Sequence, residues 1–406
     1  MKLYACAMTR DRTDTAQMDK AHIRPYCVVR PNHYCYYPRN IMPEFNRLFL
    51  EKVVRVLWRK ADACAGRLYP LSDTLASMAA RPFELHLELT NLCNADCVFC
   101  PYQFQEREVQ FMPDEVFQKA VSDYVAIGGG SVGLTPIVGD ALIDPKFLER
   151  VRYLRSLPQV DRIWLTTNCI LLDKFGVEAV LQSGINALNI STAGFDAEMY
   201  RRVYRNASYQ RMRRNVTELV ERNSALGSPV AITIALRPDR PLDAVMADPD
   251  FQPILAHKPQ LDFTWSFTSA NGRITREILP SSMKLRVVNS RPEACVNTYN
   301  GPMVLPDGTV MGCSCVAAMD ATKDLGIGNI MRSHLAEIWA GEAVRKLRSS
   351  FAASSLNSTC AGCDMYRDLE FYRTRAGRRR AKLNQARVEG KVLKTASARR
   401  SPFAGG

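Results

Sequence analysis

Three cysteines with short, fixed spacing follow directly after the first clearly predicted strand of the chain. Residues 83–89 alternate apolar and polar side chains, which predicts a strand. Cys93, Cys97 and Cys100 come next, at C-x3-C-x2-C spacing. A four-iron cluster is normally held by four thiolates, so three local ligands leave one iron open to a substrate or cosubstrate. A zinc knuckle is the alternative, but zinc needs a fourth Cys or His, and the nearest, His86, lies within the predicted strand.

From residue 81 onward, predicted strands and helices alternate. Strands are expected at 83–89, 131–138, 162–167, 187–191, 230–236 and 261–267. Helices are expected at 114–124, 145–156, 173–182 and 196–226, the last with a break near Asn206. Such alternation predicts a parallel sheet covered by helices. Six units predict an α/β fold, a partial (β/α)6 TIM-like barrel, whose site collects at the C-terminal ends of the strands.

A second group of cysteines lies near the C-terminus, where Cys295, Cys313, Cys360 and Cys363 are sufficient to ligate a four-iron cluster completely. Asp307-Gly308 predicts a hairpin turn just before Cys313. Cys315 is an alternative ligand to Cys313. Zinc held by four thiolates is the alternative metal, because the ligand set alone does not separate the two.

The composition indicates a globular chain. It has 406 residues, 47% of them hydrophobic and 23% charged, which is enough for two or three domains. Charged residues interrupt every apolar run, so no transmembrane segment is expected. The apolar stretch at residues 3–8 is too short for a signal-peptide core. We therefore expect a cytoplasmic protein whose thirteen cysteines serve as thiols and metal ligands rather than disulfides.

Positive charge is concentrated at the end of the chain. From Arg367 onward there are twelve basic and three acidic residues, which supply nine of the thirteen net positive charges. Such a run predicts a solvated helix or a frayed tail, with contact to an anionic partner as the alternative. Its lack of interleaved aromatic residues argues against nucleic-acid binding. Residues 43–65 predict a basic amphipathic helix that packs on the core, with a membrane-surface role as the alternative.

The first cysteine motif, with Phe99 just before its third cysteine, resembles that of the radical S-adenosylmethionine (radical SAM) superfamily. The resemblance implies a [4Fe-4S] cluster on Cys93, Cys97 and Cys100 whose open iron is chelated by SAM. It also implies reductive cleavage of SAM to a 5′-deoxyadenosyl radical that abstracts a substrate hydrogen atom. An electron donor such as flavodoxin or ferredoxin is implied as a partner.

The resemblance extends to the predicted strand ends. Val138-Gly139-Asp140-Ala141 stands where the family commonly has Gly-Gly-Glu-Pro, which implies that Gly139 and Asp140 receive the SAM amino group, although the first Gly and the Glu are replaced. Thr166-Thr167-Asn168 is similar to the family's Thr-Asn-Gly and places Thr167 and Asn168 at the barrel mouth. The stretch from Ser191 to Arg205 is similar to one that holds the SAM carboxylate, with Arg201 and Arg202 as rivals to Arg205.

The C-terminal cysteine region resembles the SPASM/twitch auxiliary-cluster domain. Its matching pieces are Cys295, residues 307–313, Gly328-Asn329-Ile330, Ile338-Trp339 and the pair Cys360 and Cys363. The spacing is similar to that of the amino-sugar (inosamine) dehydrogenase of butirosin biosynthesis, whose single extra cluster is fully ligated. The resemblance implies a second, auxiliary [4Fe-4S] cluster that accepts an electron in a net oxidation.

These features predict four parts: an N-terminal extension (1–80), a radical SAM core (81–290), a small α+β auxiliary-cluster domain (291–368) and a basic tail (369–406). The function expected is a radical SAM oxidoreductase, by dehydrogenation of a sugar or cyclitol. Modification of a peptide or protein, as in maturases, is the first alternative. An iron–sulfur protein that binds an anionic partner through its tail is the second. The sequence identifies no substrate general base.

Overall fold

The computed structural model of the chain describes residues 44–68 and 71–390. Eleven strands form within these residues, and nine of them make one sheet. The strands are β1 (Glu84–Leu87), β2 (Gly130–Gly133), β3 (Val160–Thr167), β4 (Ala187–Thr192), β5 (Ala231–Leu236), β6 (Gln260–Phe263), β7 (Ser266–Phe267), β8 (Lys284–Leu285), β9 (Met303–Val304), β10 (Thr309–Met311) and β11 (Gly326–Asn329).

Sixteen α-helices connect and cover these strands in the same residues. They are α1 (Glu44–Gly66), α2 (Leu71–Ala80), α3 (Asp114–Ala126), α4 (Phe147–Ser156), α5 (Val177–Leu181), α6 (Ala197–Tyr204), α7 (Tyr209–Ala225), α8 (Leu242–Met246), α9 (Gln252–Ala256), α10 (Asn297–Asn300), α11 (Thr322–Leu325), α12 (Leu335–Ala340), α13 (Glu342–Ala352), α14 (Ser358–Gly362), α15 (Glu370–Arg373) and α16 (Arg375–Val388). None of the helices that the structure describes is long and apolar enough to cross a bilayer.

The main sheet confirms the predicted partial barrel. Strands β1 to β6 lie side by side in chain order, and each pairs in parallel with the next. The hairpin of β9 and β10 extends this sheet, because β9 pairs in parallel with the free edge of β1. The cysteine-rich C-terminal region is therefore joined to the barrel through continuous backbone hydrogen bonds. The predicted boundary at residue 290 is untested and stays a prediction.

The two faces of the barrel strands differ in polarity. Leucines and isoleucines point outward and pack under the helices in the main hydrophobic core, among them Leu85, Leu87, Ile163, Leu165, Leu188, Ile190, Ile232 and Ile234. Because side chains alternate along a strand, their neighbours point inward. Most of those neighbours are polar or aromatic, namely His86, Glu88, Trp164, Thr166, Asn189, Ser191, Thr233 and Arg237, while Ala187 and Ala235 are small and apolar. The barrel interior is consequently lined mainly by polar groups.

Two predicted helices are shorter than expected. The helix expected over 173–182 is only α5, preceded by a 3-10 turn, because Gly176 adopts φ 78° and interrupts the helix. The sequence also predicts a continuous helix over 335–347, which the structure divides at Gly341 into α12 and α13. The break predicted near Asn206 is present, between α6 and α7.

The basic tail corrects the expectation of a solvated helix. Helix α16 packs below the barrel, at the N-terminal ends of its strands, where Arg380 pairs with Glu84 at 2.8 Å and Arg387 pairs with Asp161. Asn384 is fully buried and accepts a hydrogen bond from Arg81 at 2.6 Å. The buried Glu84 and the half-buried Asp161 thus account for two of the tail's positive charges. Residues 391–406 of the tail lie outside the described residues.

Candidate functional site

The loop that carries Cys93, Cys97 and Cys100 crosses the C-terminal end of the barrel. Backbone hydrogen bonds hold it on both sides: the N–H of Val98 donates to Val203 at 2.9 Å, and the N–H of Asp140 donates to Leu92 at 2.9 Å. Cys97 is buried, and the other two thiols are half-buried. The fold therefore brings the three predicted ligands together over the barrel mouth.

Backbone amides point at two of these sulfurs. The thiol of Cys93 accepts from the N–H groups of Asn94 and Ala95, and the thiol of Cys100 accepts from that of Tyr102. Burial raises the pKa of the Cys100 thiol to about 11. Burial likewise raises the pKa of Cys93 and Cys97. Amide donors of this kind stabilise a thiolate once a metal replaces its proton.

Aromatic and basic side chains enclose the loop. Phe99 stacks on Phe267 with ring centroids 4.8 Å apart and meets Tyr204 edge-on at 5.6 Å. The guanidinium of Arg237 lies 5.6 Å from the centre of the Phe99 ring, and its charge lowers the pKa of Cys97 and Cys100 against the larger effect of burial. Sequence analysis missed Arg237. The available signal was its position as the first residue after β5, in register with the inward-facing Thr233.

A buried ion pair supports the loop from the inner side. Glu88 is fully buried, and both of its carboxylate oxygens accept from Arg107, at 2.5 and 3.1 Å. The same carboxylate accepts from the backbone N–H of Ile137 at 3.0 Å. The pair thus ties β1, the segment after the cysteine loop and the end of β2 together. Such a bidentate arrangement fixes geometry as well as charge.

The residues predicted at the ends of β2 and β3 converge on one carboxylate. Asp140 is buried and accepts from the Thr167 hydroxyl at 2.8 Å, the Asn168 N–H at 2.8 Å and the Leu142 N–H at 3.0 Å. The side chain of Asn168 continues to Asn94 in the cysteine loop at 2.6 Å. The hydrogen bonds of Asp140 and Asn168 therefore connect the ends of β2 and β3 to the cysteine loop.

Gly139 passes so close to the cysteine loop that no side chain fits. Its φ is 116°, and an added Cβ would stand 2.9 Å from backbone atoms of Thr90, Asn91 and Leu92. Both the backbone conformation and the space thus require glycine here. The close approach that it allows is to the cysteine loop, and its contact with the SAM amino group stays a prediction.

Ser191 and Arg205, which are predicted to bind the SAM carboxylate, differ in burial. Ser191 is half-buried inside the barrel mouth and shares a hydrogen bond of 2.7 Å with the Tyr204 hydroxyl. Arg205 adopts φ 47° at the end of α6 and contacts Asp96 at 3.3 Å and Gln103 at 3.1 Å, both next to the cysteine motif. Its rivals Arg201 and Arg202 are exposed on α6. Arg205 therefore lies nearer the motif than either rival.

All five C-terminal cysteines line one cavity: Cys295, Cys313, Cys315, Cys360 and Cys363. Cys295 precedes α10, Cys313 and Cys315 follow β10, and the last two lie on and just after α14. Burial raises the pKa of Cys360 to about 12. A hydrogen bond with Cys315 is the main cause of the raised pKa of Cys363. The fold thus gathers more thiols here than a single four-iron cluster requires.

Amide donors recur at this second site. The sulfur of Cys295 accepts from the N–H of Arg367 at 3.4 Å, that of Cys313 from Cys315 at 3.4 Å, and that of Cys363 from Met365 at 3.3 Å. The last two donors stand two residues after the thiol they serve. The same spacing occurs between Cys100 and Tyr102 in the first site. Hydrogen bonds to sulfur are one of the means by which proteins tune iron–sulfur clusters.

The donor set fits a polynuclear cluster at both sites. In residues 44–68 and 71–390, no three His, Cys, Asp or Glu side chains are arranged to hold a single metal ion. Soft thiolate ligands, three at the first site and at least four at the second, suit iron–sulfur clusters and tetrahedral zinc alike. The ligand set therefore fits a cluster at each site and does not by itself separate it from zinc.

Family models match both regions. The radical SAM superfamily matches residues 87–246, and an iron–sulfur cluster-binding domain, SPASM, matches residues 295–364. Among curated proteins, the chain is 23% identical over 136 residues to the GTP 3′,8-cyclase of Chlorobaculum tepidum, covering 34% of this chain and 40% of that protein. The corresponding enzyme of Lactiplantibacillus plantarum is 27% identical over 135 residues, 32% of this chain and 39% of that protein. The chain spans about two fifths of the length of these relatives.

Solved structures share the fold over a longer span. Streptococcus suis SuiB, bound to its precursor peptide SuiA, covers 82% of this chain and 78% of its own, with 14% identity and a TM-score of 0.52. BtrN, in complex with AdoMet and 2-DOIA, covers 70% of this chain and 93% of its own, with 15% identity and a TM-score of 0.49. At these identities the resemblance to SuiB concerns the fold alone.

Proposed function

We propose that this chain, which belongs to the radical SAM superfamily and carries a C-terminal SPASM iron–sulfur domain, oxidises an alcohol carbon of a small polar substrate. Its cofactors are a catalytic [4Fe-4S] cluster, SAM and an auxiliary [4Fe-4S] cluster. The observation that carries the proposal is the second thiol set. Enough cysteines line its cavity to saturate a cluster with protein ligands, which leaves no iron for substrate and favours electron transfer.

The residues of the first site bind different parts of the cluster and of SAM. Cys93, Cys97 and Cys100 hold the catalytic cluster, which, when bound, supplies the electron that cleaves SAM to methionine and a 5′-deoxyadenosyl radical. Gly139, Asp140, Thr167 and Asn168 form the wall that receives the SAM amino group and nucleoside. Ser191 and Arg205 hold its carboxylate, and Arg237 adds positive charge beside the same loop.

The oxidation balances as two one-electron steps. The catalytic cluster and SAM, when bound, would supply the 5′-deoxyadenosyl radical that removes a hydrogen atom from the carbinol carbon and leaves as 5′-deoxyadenosine. The substrate hydroxyl would then give its proton to solvent, and the auxiliary thiols would hold the centre that accepts the second electron, which leaves a ketone. An external donor such as flavodoxin or ferredoxin supplies the electron for SAM cleavage, and the cytoplasm, where such donors operate, is the proposed location.

The barrel interior supports a hydroxylated substrate. Asn189 is only 4% exposed and points inward beside Thr166, to which its amide donates weakly at 3.4 Å. Within the described residues, its Oδ1 atom has no hydrogen-bond partner. A buried acceptor without a partner costs stability, so a ligand donor at this point would be favourable. Substrate hydroxyl groups supply such donors, so a sugar or cyclitol would satisfy this acceptor.

A deuterium-transfer screen tests this proposal. The reduced protein is incubated with SAM and with sugars or cyclitols that carry deuterium on carbinol carbons, and with labelled peptides in parallel. We expect label in 5′-deoxyadenosine together with a ketone product two hydrogens lighter than the substrate. Label that comes from peptides alone would replace this proposal with the peptide-modifying alternative.

Asn189→Leu should raise the KM for the true substrate more than it lowers kcat, because the proposed contact of Asn189 with substrate hydroxyls is present in both the ground state and the transition state.

The fourth auxiliary ligand is expected to be Cys313 rather than Cys315. Cys313 accepts an amide N–H two residues on, as Cys363 and Cys100 do. Cys313→Ser should therefore lower the iron content and alter the electron paramagnetic resonance signal of the auxiliary cluster, whereas Cys315→Ser should leave about eight irons per chain. The reverse pattern would assign the ligand to Cys315, whose thiol lies against Cys363.

A further inference from the structure

Helix α1 carries an apolar stripe that faces solvent along its whole described length. The stripe consists of Leu50, Val54, Leu57, Trp58, Ala61, Ala65 and, just beyond the helix, Leu68. Residues three or four apart share one face of a helix, so these seven side chains form a continuous surface. Its large members are 42% (Leu50), 57% (Val54), 61% (Leu57), 75% (Trp58) and 87% (Leu68) exposed. The helix contacts α15, α16 and α8, as the predicted packing on the core requires, but it does so through another face than this stripe.

Within the part of the chain that the structure describes, α1 contacts α15, α16 and α8, and its C-terminal end is held most closely. Ala63 and Gly66 are buried there. Asp62 accepts from the backbone N–H of Arg375 at 2.6 Å, at the start of α16. The face of α1 that is anchored is therefore a different face from the apolar stripe, and the stripe stays exposed to solvent.

Positive charge surrounds the stripe. Arg59 and Lys60 are exposed on α1 itself, and Arg55 lies one turn earlier. Helix α16, joined to α1 through Asp62, adds the exposed side chains of Arg375, Arg379 and Lys382. Against these, Glu51 pairs with Arg55 at 3.8 Å and Asp62 faces α16, so the excess of positive charge comes from Arg59, Lys60 and α16. An apolar stripe with Trp, bordered by Lys and Arg, is the pattern of helices that lie in a membrane interface.

We propose that α1 docks the protein on an anionic membrane surface, with the apolar stripe in the headgroup boundary and the surrounding Arg and Lys side chains on lipid phosphates. Charge complementarity favours this occupant over a second copy of the chain. In a dimer formed through the stripe, the Arg and Lys side chains near the stripe would face those of the second copy. Repulsion between these like charges disfavours association. The proposal is independent of the substrate.

Vesicle flotation tests the proposal with the full-length protein. We expect the chain to float with phosphatidylcholine vesicles that contain about 30% phosphatidylglycerol and to bind pure phosphatidylcholine at least about tenfold more weakly. Raising the salt concentration to about 0.5 M should weaken binding, because it shortens the Debye length. Equal binding to neutral vesicles, or no binding to anionic ones, would overturn the proposal.

A pair of variants isolates the stripe. Leu57→Gln together with Trp58→Gln removes apolar surface without changing charge and should lower vesicle binding at least about tenfold. Val287→Gln, at an equally exposed apolar residue outside α1, is the matched control and should bind as the native chain does. Both variants should retain SAM cleavage. If the control loses binding equally, exposed apolar surface in general is responsible and the proposal fails.

Tryptophan emission supplies a second readout. Of the four tryptophans, Trp164 and Trp339 are buried and Trp265 is half-buried, so Trp58 is the residue whose environment a bilayer would change. Anionic vesicles should shift the emission to shorter wavelength in the native chain and not in Trp58→Phe. If the native chain is instead a dimer in solution that the Leu57→Gln, Trp58→Gln variant converts to a monomer, a second copy covers the stripe and the membrane proposal is wrong.

Discussion

Replacing Cys93, Cys97 and Cys100 together with alanine is expected to abolish formation of 5′-deoxyadenosine from SAM. The three thiols are the protein ligands proposed for the catalytic cluster, and the loop places them over the polar barrel mouth. Without them the protein has no means of delivering an electron to bound SAM. The rate of SAM cleavage should therefore fall at least about a thousandfold. Anaerobic incubation with dithionite, followed by chromatography of the nucleoside, measures it.

A measurement of iron content distinguishes a variant that has lost only the catalytic cluster from one that has lost its fold. The triple variant should retain about four of about eight irons, because the auxiliary thiols are untouched. Cys169→Ala is the matched control, since this thiol is fully buried near the same strand ends but lies outside the motif. It should keep both clusters and SAM cleavage. Persistent SAM cleavage in the triple variant would end the assignment, and zinc in place of its remaining iron would end the assignment of the auxiliary cluster.

Local patterns were sufficient to predict the frame of this site. The alternation of strands and helices gave the order of β1 to β6, and the cysteine spacing placed the first thiol group directly after β1. The glycine turn at residues 307–308 correctly predicted the hairpin of β9 and β10. Each of these features depends on residues that are close together in the chain, where periodicity and turn chemistry act directly.

Features that depend on distant partners escaped prediction. Arg387 is paired with Asp161, 226 positions earlier, and nothing local to the tail reveals that partner. Arg237 becomes part of the cysteine site only because β5 ends beside Phe99. The stripe on α1 has the periodicity of a core-facing helix, and the sequence does not say whether another part of the chain covers it. In each case the pattern specified an element but not its tertiary neighbour.

Removing the auxiliary thiols should separate the two halves of the reaction. In Cys360→Ala together with Cys363→Ala, SAM binding and cleavage remain possible, because Cys93, Cys97, Cys100 and the strand-end residues are intact. Deuterium should still pass from substrate to 5′-deoxyadenosine. The ketone formed per 5′-deoxyadenosine should fall at least about tenfold, since the substrate radical has lost its proposed electron acceptor.

Two measurements make this result decisive. Iron content should fall to about four per chain, and Cys315→Ser, treated identically, should retain full coupling of ketone to 5′-deoxyadenosine. The pair Cys360 and Cys363 lies at α14, which Asn357 caps and Asp324 binds through Thr359, so the helix has stabilising contacts besides the metal. If one ketone still forms for each 5′-deoxyadenosine, the electron of the substrate radical passes to an acceptor other than the auxiliary cluster. The auxiliary cluster then has a structural role, and the case for a net oxidation loses its main support.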